Sequence, residues 1–265
     1  MRVFYSLGFL IILTGCSKYI QVFETQPAEP SLKLGELYVY ETDTLRITYS
    51  FWALKGVVSF EVHNKLDKPI YINWKRSAFI ENSNKLNYWV DEETISSTYY
   101  GGYLYQGPLL RPSGVTLRES SVKTKPERTT FIPPKSNYYR SQFYLMPLEN
   151  YRLDKNSEVL ETTRTGKPKR LTKVYFENFT RQNSPLVFRN FLTFSLSEDF
   201  KDEFNIDNEF YLSKTLEMDY RHFKFEYLDE SGHRQYLKPF KKPTSFYLYV
   251  PWEETVIERL KDPYY

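Results

Sequence analysis

The chain has 265 residues, and 36 Lys or Arg residues against 33 Asp or Glu residues give it a formal net charge of +3. A charge so nearly balanced argues against nucleic acid or a strongly charged molecule as the partner. Aromatic residues make up 18% of the chain, whereas only 10 residues are Gly. This composition excludes a collagen-like or glycine-rich repeat and favours strands packed in a sandwich core.

The first residues have the pattern of a secretory signal. Arg2 precedes an apolar run from Val3 to Leu13. The run has about 11 residues, whereas a helix needs roughly 20 to span a bilayer. A basic start and a short apolar core followed by small residues are typical of a signal peptide, which we place at residues 1–15.

The sequence Leu13-Thr14-Gly15-Cys16 directly follows the apolar run and resembles the lipobox of bacterial lipoproteins. The resemblance implies that the Cys16 thiol carries a diacylglyceryl group, that the signal is cut before Cys16, and that the new amino group is acylated. One acyl chain binds a membrane only marginally, but two or three chains anchor a protein stably. Cys16 is the only cysteine, so no disulfide is available and the core must supply the stability alone. We therefore expect a membrane partner through a lipid anchor at Cys16.

The residues after Cys16 bear on the location of the protein. Ser17 stands where an aspartate would resemble an inner-membrane retention signal. In surface-displayed lipoproteins of the Bacteroides group a run of acidic residues follows the lipidated cysteine, and this chain has no such run after Cys16. We therefore expect an outer-membrane lipoprotein that faces the periplasm, with surface display as the alternative. Residues 16–36 carry Pro27 and Pro30 without clear periodicity, and we interpret them as the lipidated cysteine and a tether that reaches at most about 70 Å.

Alternating apolar and polar residues predict strands in the first half of the chain. Residues 45–51 alternate between apolar and polar after a turn-like sequence. Residues 58–62 alternate in the same way, and after the turn-like residues 64–69 the apolar face resumes at residues 70–74. We expect these last two strands to form a hairpin with one inward face, which comprises Phe60, Val62, Ile70, Ile72 and Trp74. Two more hairpins are predicted around residues 81–85 and around Gly101-Gly102, a turn that favours a hairpin.

The middle of the chain has a different composition. Residues 106–173 are rich in proline, and the part from Arg118 to Lys173 has 13 Lys or Arg residues against 6 Asp or Glu residues. We predict that this segment consists largely of loops. Strands are expected again at residues 174–176, 186–196, 211–220, 223–227, 234–237 and 245–250. The acidic residues 198–209, with Phe200 and Phe204 four apart, predict a short amphipathic helix, and residues 251–265 predict a tail or a short helix.

Many short strands with turns between them predict an all-β fold, a two-sheet Ig-like sandwich that occupies residues 37–250. Residues 57–80 and 131–134 resemble the Ig-like domains of Bacteroides-group lipoproteins. This resemblance implies a fold and carries over no functional residues.

The sequence offers no pattern for catalysis, a cofactor or a metal site. We predict His63 and His222 on the polar side of strands and His233 beside a turn, so their spacing does not suit a metal. The chain contains no phosphate-binding loop and no nucleophile elbow. The acidic stretch lacks the ligand spacing and the glycine of a calcium loop. We therefore expect no catalytic residue, no cofactor and no metal.

Two surfaces are candidates for binding. The first comprises Tyr99, Tyr100, Tyr103 and Tyr105. These rings suit a platform for sugar rings or a partner protein. The simpler explanation is that they form cross-strand pairs at a sheet edge. The second is a basic loop that suits anionic headgroups at about 1 kcal/mol per residue, and the simpler explanation is an ordinary solvated loop. It comprises Arg164, Lys167, Lys169, Arg170 and Lys173.

These observations predict a non-catalytic, lipid-anchored protein that binds or supports other components of the envelope, with a protein or glycan partner and no nucleic acid. One alternative is a carbohydrate-binding accessory lipoprotein, which would present exposed, coplanar Tyr and Trp rings. A second alternative is an envelope hydrolase, which would need two carboxylates or a Ser–His pair within catalytic reach.

Overall fold

A computed structural model describes residues 19–91, 94–106, 111–124, 126–146, 151–154, 156–163, 171–228, 230–237, 239–251 and 255–256. The structure is 57% strand and 4% helical, and its two antiparallel sheets form a sandwich-like arrangement, which confirms the predicted fold class. A 3-10 helix spans Pro30–Leu32, and the helix α1 spans Tyr220–Phe223. The strands are β1 (Tyr19–Pro27), β2 (Lys33–Leu34), β3 (Leu37–Glu41), β4 (Leu45–Ser50), β5 (Val57–Asn64), β6 (Ile70–Asn73), β7 (Ala78–Glu81), β8 (Asn84–Asn87), β9 (Thr94–Gln106), β10 (Arg111–Thr124), β11 (Thr129–Ile132), β12 (Asn137–Tyr144), β13 (Glu158–Thr163), β14 (Leu171–Asn178), β15 (Val187–Ser195), β16 (Glu203–Asp219), β17 (Phe225–Leu228), β18 (Arg234–Leu237) and β19 (Ser245–Val250).

The two large sheets differ in size. The larger sheet has ten strands in the order β11-β6-β15-β16-β1-β19, with β14 and then β13 beside β16, and β7 and then β8 beside β15. The smaller sheet has five strands in the order β12-β5-β4-β3-β2. Two further pairs, β9 with β10 and β17 with β18, form two-stranded sheets.

The described residues divide into two compact units. The first unit draws on the ranges Met1–Val62, Tyr138–Phe188 and Asn208–Tyr265, and the second unit on the ranges His63–Asn137 and Arg189–Asp207. Two of the boundaries fall within β15 and β16, so the units are not consecutive segments of the sequence.

Phe210 of β16 is at the centre of the core of the first unit. The centroids of four other aromatic rings lie 5.0 to 5.4 Å from its ring centroid, and all of them are buried. These rings belong to Tyr38, Tyr49, Phe51 and Phe188. Such pairs contribute about 0.5–1.5 kcal/mol each beyond the area they bury, which accounts for part of the aromatic composition.

Strand β1 occupies the segment that we predicted to be a tether. It lies between β16 and β19, and all but two of its residues are buried. Ile20 and Val22 join one apolar cluster, whereas Phe23, on the opposite face, stacks on Phe246 with their ring centroids 4.8 Å apart. A strand covered on both faces has no polar–apolar alternation, so the sequence pattern of β1 does not identify it as a strand. The tether prediction is therefore wrong for residues 19–36.

The hairpin that we predicted between β5 and β6 is wrong, although its inward residues were chosen correctly. All five predicted residues are at most 1% exposed. However, β5 lies between β12 and β4 in the smaller sheet, whereas β6 lies between β11 and β15 in the larger one. The connection is fixed by Asn64, whose Nδ2 donates to the carbonyl oxygens of Ile132 (3.2 Å) and Pro133 (2.9 Å). This buried amide therefore ties the connection to β11 and the residue after it.

One of the two other predicted hairpins is confirmed. β7 and β8 pair with Phe79 opposite Leu86, and both turn residues, Asn82 and Ser83, have positive φ (43° and 74°), as a type I′ turn requires. The turn predicted at Gly101-Gly102 is wrong, because β9 continues through both residues and Gly102 lies opposite Thr116 of β10.

Two segments have a different secondary structure from the one that we predicted, which was loops for the first and a helix for the second. The described part of residues 106–173 contains all of β10, β11, β12 and β13 and the start of β14, so the prediction of loops is wrong there. The predicted acidic helix is also wrong. Residues 197–202 form a turn in which Asp199 Oδ1 accepts a hydrogen bond from the Lys201 amide at 3.3 Å. Local side-chain bonds of this kind compete with helix formation.

In the last part of the chain, the structure largely agrees with the prediction from the sequence. β17 and β18 form the predicted hairpin, and β19 has the predicted bounds. Of residues 251–265, for which we predicted a tail or a short helix, Pro251, Thr255 and Val256 are described, and the others lie outside the described residues.

Candidate functional site

Most of the residues that we predicted for attachment and binding lie outside the described part of the chain. Cys16 precedes its first residue, and the gap at residues 164–170 contains Arg164, Lys167, Lys169 and Arg170. The backbone of β9 carries Tyr99, Tyr100, Tyr103 and Tyr105, whose side chains are outside the description.

Lys173 is the described member of the predicted basic surface. It lies on β14 opposite Glu161 of β13, with its Nζ atom 3.9 Å from Glu161 Oε1. Both side chains are more than half exposed, so the pair contributes little to stability. Glu161 nevertheless reduces the net positive charge that this position presents to an anionic surface.

The three histidines lie in different surroundings. His63 Nδ1 is 2.5 Å from Asn137 Oδ1, and His233 is exposed. His222 is buried in α1, where its ring meets Phe240 edge-on with a centroid distance of 5.3 Å, so its predicted place on a polar strand face is wrong. Within the described ranges, no group of three or more His, Cys, Asp or Glu side chains is placed to hold a metal ion.

A small polar pocket lies in the first unit, where the register of β1 against β16 shifts between Glu24 and Thr25. Its volume is about 150 Å³, whereas pockets for drug-sized ligands typically have about 300–1,000 Å³ and a largely apolar lining. The pocket is lined by Glu24, Thr25, Gln26, Lys33, Gly35, Glu36, Tyr38, Ser213, Lys242 and Thr244. Neither histidine nor cysteine is among these residues.

Polar groups on the inner wall of the polar pocket form hydrogen bonds with other groups of the protein. Thr25 Oγ1 donates to the Thr244 carbonyl at 2.7 Å, and the Tyr38 hydroxyl donates to the Thr25 carbonyl. Lys242 Nζ lies 3.4 Å from Glu24 Oε1. Burial raises the pKa of Tyr38 to about 12, so this hydroxyl keeps its proton at neutral pH. The arrangement supports the irregular part of β1 and leaves Lys33 and Glu36 as the exposed charges at the mouth.

A second polar cluster, around Gln21 and Glu217, is buried beneath other segments of the first unit. Gln21 Nε2 donates to Glu217 Oε2 at 2.9 Å and to the Tyr151 carbonyl at 2.6 Å. Glu217 Oε1 accepts a hydrogen bond from the Val256 amide at 2.7 Å. Both side chains are fully buried, so this cluster attaches residues 151 and 256 to the sheet and is not open to a ligand.

In the second unit, three neighbouring aromatic rings are partly exposed. The Tyr71 ring lies 5.7 Å from the Phe131 ring and 6.4 Å from the Phe200 ring, and Phe131 is 53% exposed. The carbohydrate-binding alternative expects coplanar rings, whereas these are inclined by 59° and 66°. The trio therefore does not form a flat platform.

A larger group of aromatic side chains lies in the first unit at one end of β1, and we call it the aromatic end. Ring centroids of adjacent members are 5.1 to 6.3 Å apart. Phe223 is buried, Tyr249 is 43% exposed, and the others are half-buried. The group consists of Trp52, Tyr220, Phe223, Tyr247 and Tyr249.

Sequence reasoning missed the polar pocket, the buried cluster and the aromatic end for one reason. Each of them depends on β1, which we predicted to be part of a tether. The run Tyr19-Ile20-Gln21-Val22-Phe23 was the available signal, because its apolar residues occupy both strand faces.

No protein-family model, curated protein or solved structure matches the chain. No helix among the described residues is long and apolar enough to cross a bilayer. The functional proposal therefore rests on the residues of this chain.

Proposed function

We propose that this protein is a non-catalytic, lipid-anchored component of a bacterial cell envelope, whose β-sandwich binds or supports other envelope components. The observation that carries the proposal is the sequence Leu13-Thr14-Gly15-Cys16 directly after a short apolar run. A thioether-linked diacylglyceryl group on Cys16, together with an acylated amino group, attaches the protein to the membrane.

The position of the first core strand supports this proposal. β1 begins at Tyr19, three residues after Cys16. Cleavage before Cys16 thus leaves every residue of β1 in the mature chain. The first described core strand therefore lies wholly in the part that remains after cleavage, as an exported protein that folds after cleavage requires.

The character of the pocket supports a binding or structural role in preference to catalysis. The polar pocket is small, and its inner hydroxyl groups are engaged in hydrogen bonds that hold β1. A macromolecular partner, either an envelope protein or a glycan, suits such a protein better than a small-molecule substrate. The tyrosines of β9 are the surface that we propose for these contacts, and the basic residues from Arg164 to Lys173 are the surface that we propose for anionic headgroups.

We further propose that the protein lies in the outer membrane and faces the periplasm, because Ser17 does not resemble a retention signal. Membrane fractionation of cells followed by protease treatment of intact and permeabilised cells tests the location. Digestion only after permeabilisation is expected, whereas digestion in intact cells would indicate surface display.

The anchor is tested by replacing Cys16 with Ser and labelling cells with a fatty-acid probe. The Cys16→Ser variant is expected to incorporate no probe and to keep its signal, because the acyl acceptor is gone. Ser17→Ala is the matched control, since it changes the adjacent residue and leaves the thiol. Undiminished labelling of Cys16→Ser would end the proposal of an anchor.

A further inference from the structure

The proposed anchor lies very close to the folded part of the protein. Cys16 is separated from Tyr19, the first residue of β1, by Ser17 and Lys18 alone. A chain of this length spans at most about 11 Å, whereas the tether expected from the sequence spans up to about 70 Å. The acylated residue thus holds the start of β1 next to the membrane surface.

The start of β1 marks one end of the first unit. Tyr19 lies opposite Asp219, the last residue of β16, and opposite Val250, the last residue of β19. Helix α1 follows β16 directly, so it begins at the same end. Ile20 lies opposite Tyr249, which places the exposed ring of the aromatic end one residue away from the anchored end of the sheet.

The chemistry of the aromatic end suits the interface of a bilayer. Tyr and Trp side chains combine an apolar ring with a polar tip and concentrate at the level of lipid headgroups. The exposed Arg221 and the half-buried Lys224 follow Tyr220 and Phe223 directly in the sequence and add positive charge, which favours anionic headgroups. The neighbouring carboxylate of Asp219 is engaged at the start of α1, where its Oδ1 accepts a hydrogen bond from the Arg221 amide at 2.7 Å.

We propose that the aromatic end rests on the headgroup surface of the bilayer in which Cys16 is anchored. This inference rests on the proposed lipid anchor and adds an orientation to it. The sandwich then stands on the membrane without a linker. Because a strand rises about 3.3 Å per residue, the polar pocket beside Glu24 lies about 13 Å along β1 from Ile20, which pairs with Tyr249, and on the side away from the lipid.

The orientation is tested with nitroxide labels on the mature, lipidated protein in vesicles of phosphatidylethanolamine and phosphatidylglycerol. The lipid occupies the thiol of Cys16, so a single introduced cysteine takes the label. Tyr249→Cys places the label on the aromatic end, and Glu36→Cys places it at the mouth of the polar pocket. Arg221→Cys is a second site on the aromatic end in case Tyr249→Cys does not fold.

The label at position 249 or 221 is expected to be reached better by oxygen dissolved in the bilayer than by a water-soluble nickel complex. The label at position 36 is expected to show the opposite preference. Inserting a flexible Gly/Ser linker of about ten residues between Lys18 and Tyr19 should make the label at 249 accessible to nickel, because the end is no longer held at the surface.

Mass spectrometry of the same samples separates the two proposals. If Cys16 carries lipid but the labels at 249 and 221 are as accessible to nickel as the label at 36, the orientation is wrong and the anchor stands. If Cys16 carries no lipid, both proposals fail.

Discussion

At the scale of single residues, two glycines with similar backbone conformations have very different surroundings. Gly56 and Gly35 have φ values of +64° and +60°. A Cβ atom on Gly56 would lie 2.8 Å from Phe246 Cγ and 3.0 Å from Leu145 Cδ1, whereas a Cβ atom on Gly35 would meet nothing within 4 Å. Gly56 is therefore required by packing as well as by its backbone angle.

We expect Gly35→Ala to lower the free energy of unfolding by about 1–2 kcal/mol, because an L-residue is strained at positive φ. Gly56→Ala should lower it by a further 1–3 kcal/mol, roughly the penalty for overpacking a core. Urea unfolding of the two variants measures the difference. Equal losses would show that the contact between Gly56 and Phe246 does not limit the side chain at this position.

Tyr38 gives a prediction about alkaline pH. Its hydroxyl is buried, and burial raises its pKa to about 12 from an ordinary value near 10. The unfolded chain therefore loses this proton before the folded protein does. The contribution to stability is complete below pH 10 and is lost as the pH rises through 12, up to about 3 kcal/mol for a shift of this size.

The Tyr38→Phe variant should lose less stability between pH 10 and pH 12 than the wild-type protein. At neutral pH it should be less stable by about 1 kcal/mol, because the Thr25 carbonyl loses its donor. Urea unfolding across this pH range is the measurement, and Tyr139→Phe is a control at a side chain that is 62% exposed. Parallel pH curves for Tyr38→Phe and the wild-type protein would contradict the prediction.

At the scale of elements, alternation identifies which residues are buried but not which strands pair. Phe60 and Ile72 were correctly placed in the core, because a period of two is a local property of the sequence. Their strands were wrongly paired, because the connection depends on Asn64 and on carbonyl groups 68 and 69 residues further along the chain. Asn73 alternates to the opposite face of β6 from Ile72, yet it too is buried, and its carbonyl oxygen accepts a hydrogen bond from Ser77 Oγ at 2.7 Å. Long-range hydrogen bonds of this kind leave no local pattern in a single sequence.

We expect Phe60→Ala to lower the free energy of unfolding by about 3–5 kcal/mol, because a buried ring that contacts Tyr49 is removed. Glu61→Ala, on the exposed side of the same strand, should change it by less than about 0.5 kcal/mol. Thermal melts of the two variants compare the two faces of β5. A loss at Glu61 equal to the loss at Phe60 would mean that both faces of β5 are buried.

At the scale of the whole molecule, β1 connects the fold to the proposed function. The fold class was predictable because strand periodicity and turns recur along the chain. The polar pocket was not, because its lining residues come from β1, β2, the β2–β3 connection, β3, β16 and the segment that precedes β19, and they meet only when β1 enters the sheet. The lipid anchor at Cys16 remains a prediction from the sequence motif alone.

The central position of β1 predicts where the protein can be shortened. A variant that begins at Ser17 keeps β1, whereas a variant that begins at Leu37 lacks it. The shorter variant exposes the edges of β16 and β19 that pair with β1, and it leaves the buried carboxylate of Glu217 without the Gln21 amide. It also loses the buried side chains of Ile20, Val22 and Phe23.

Burial of one large apolar side chain contributes about 1.5–3 kcal/mol, so the loss of three of them approaches the 5–15 kcal/mol by which a typical domain is stable. We therefore expect the variant that begins at Ser17 to show a β-type circular dichroism spectrum and a cooperative melt, under reducing conditions as well as without reductant. The variant that begins at Leu37 should show no cooperative transition. If both variants melt at the same temperature, β1 is not part of the stable fold, and the inference that the anchored end of the sheet rests on the membrane falls with it.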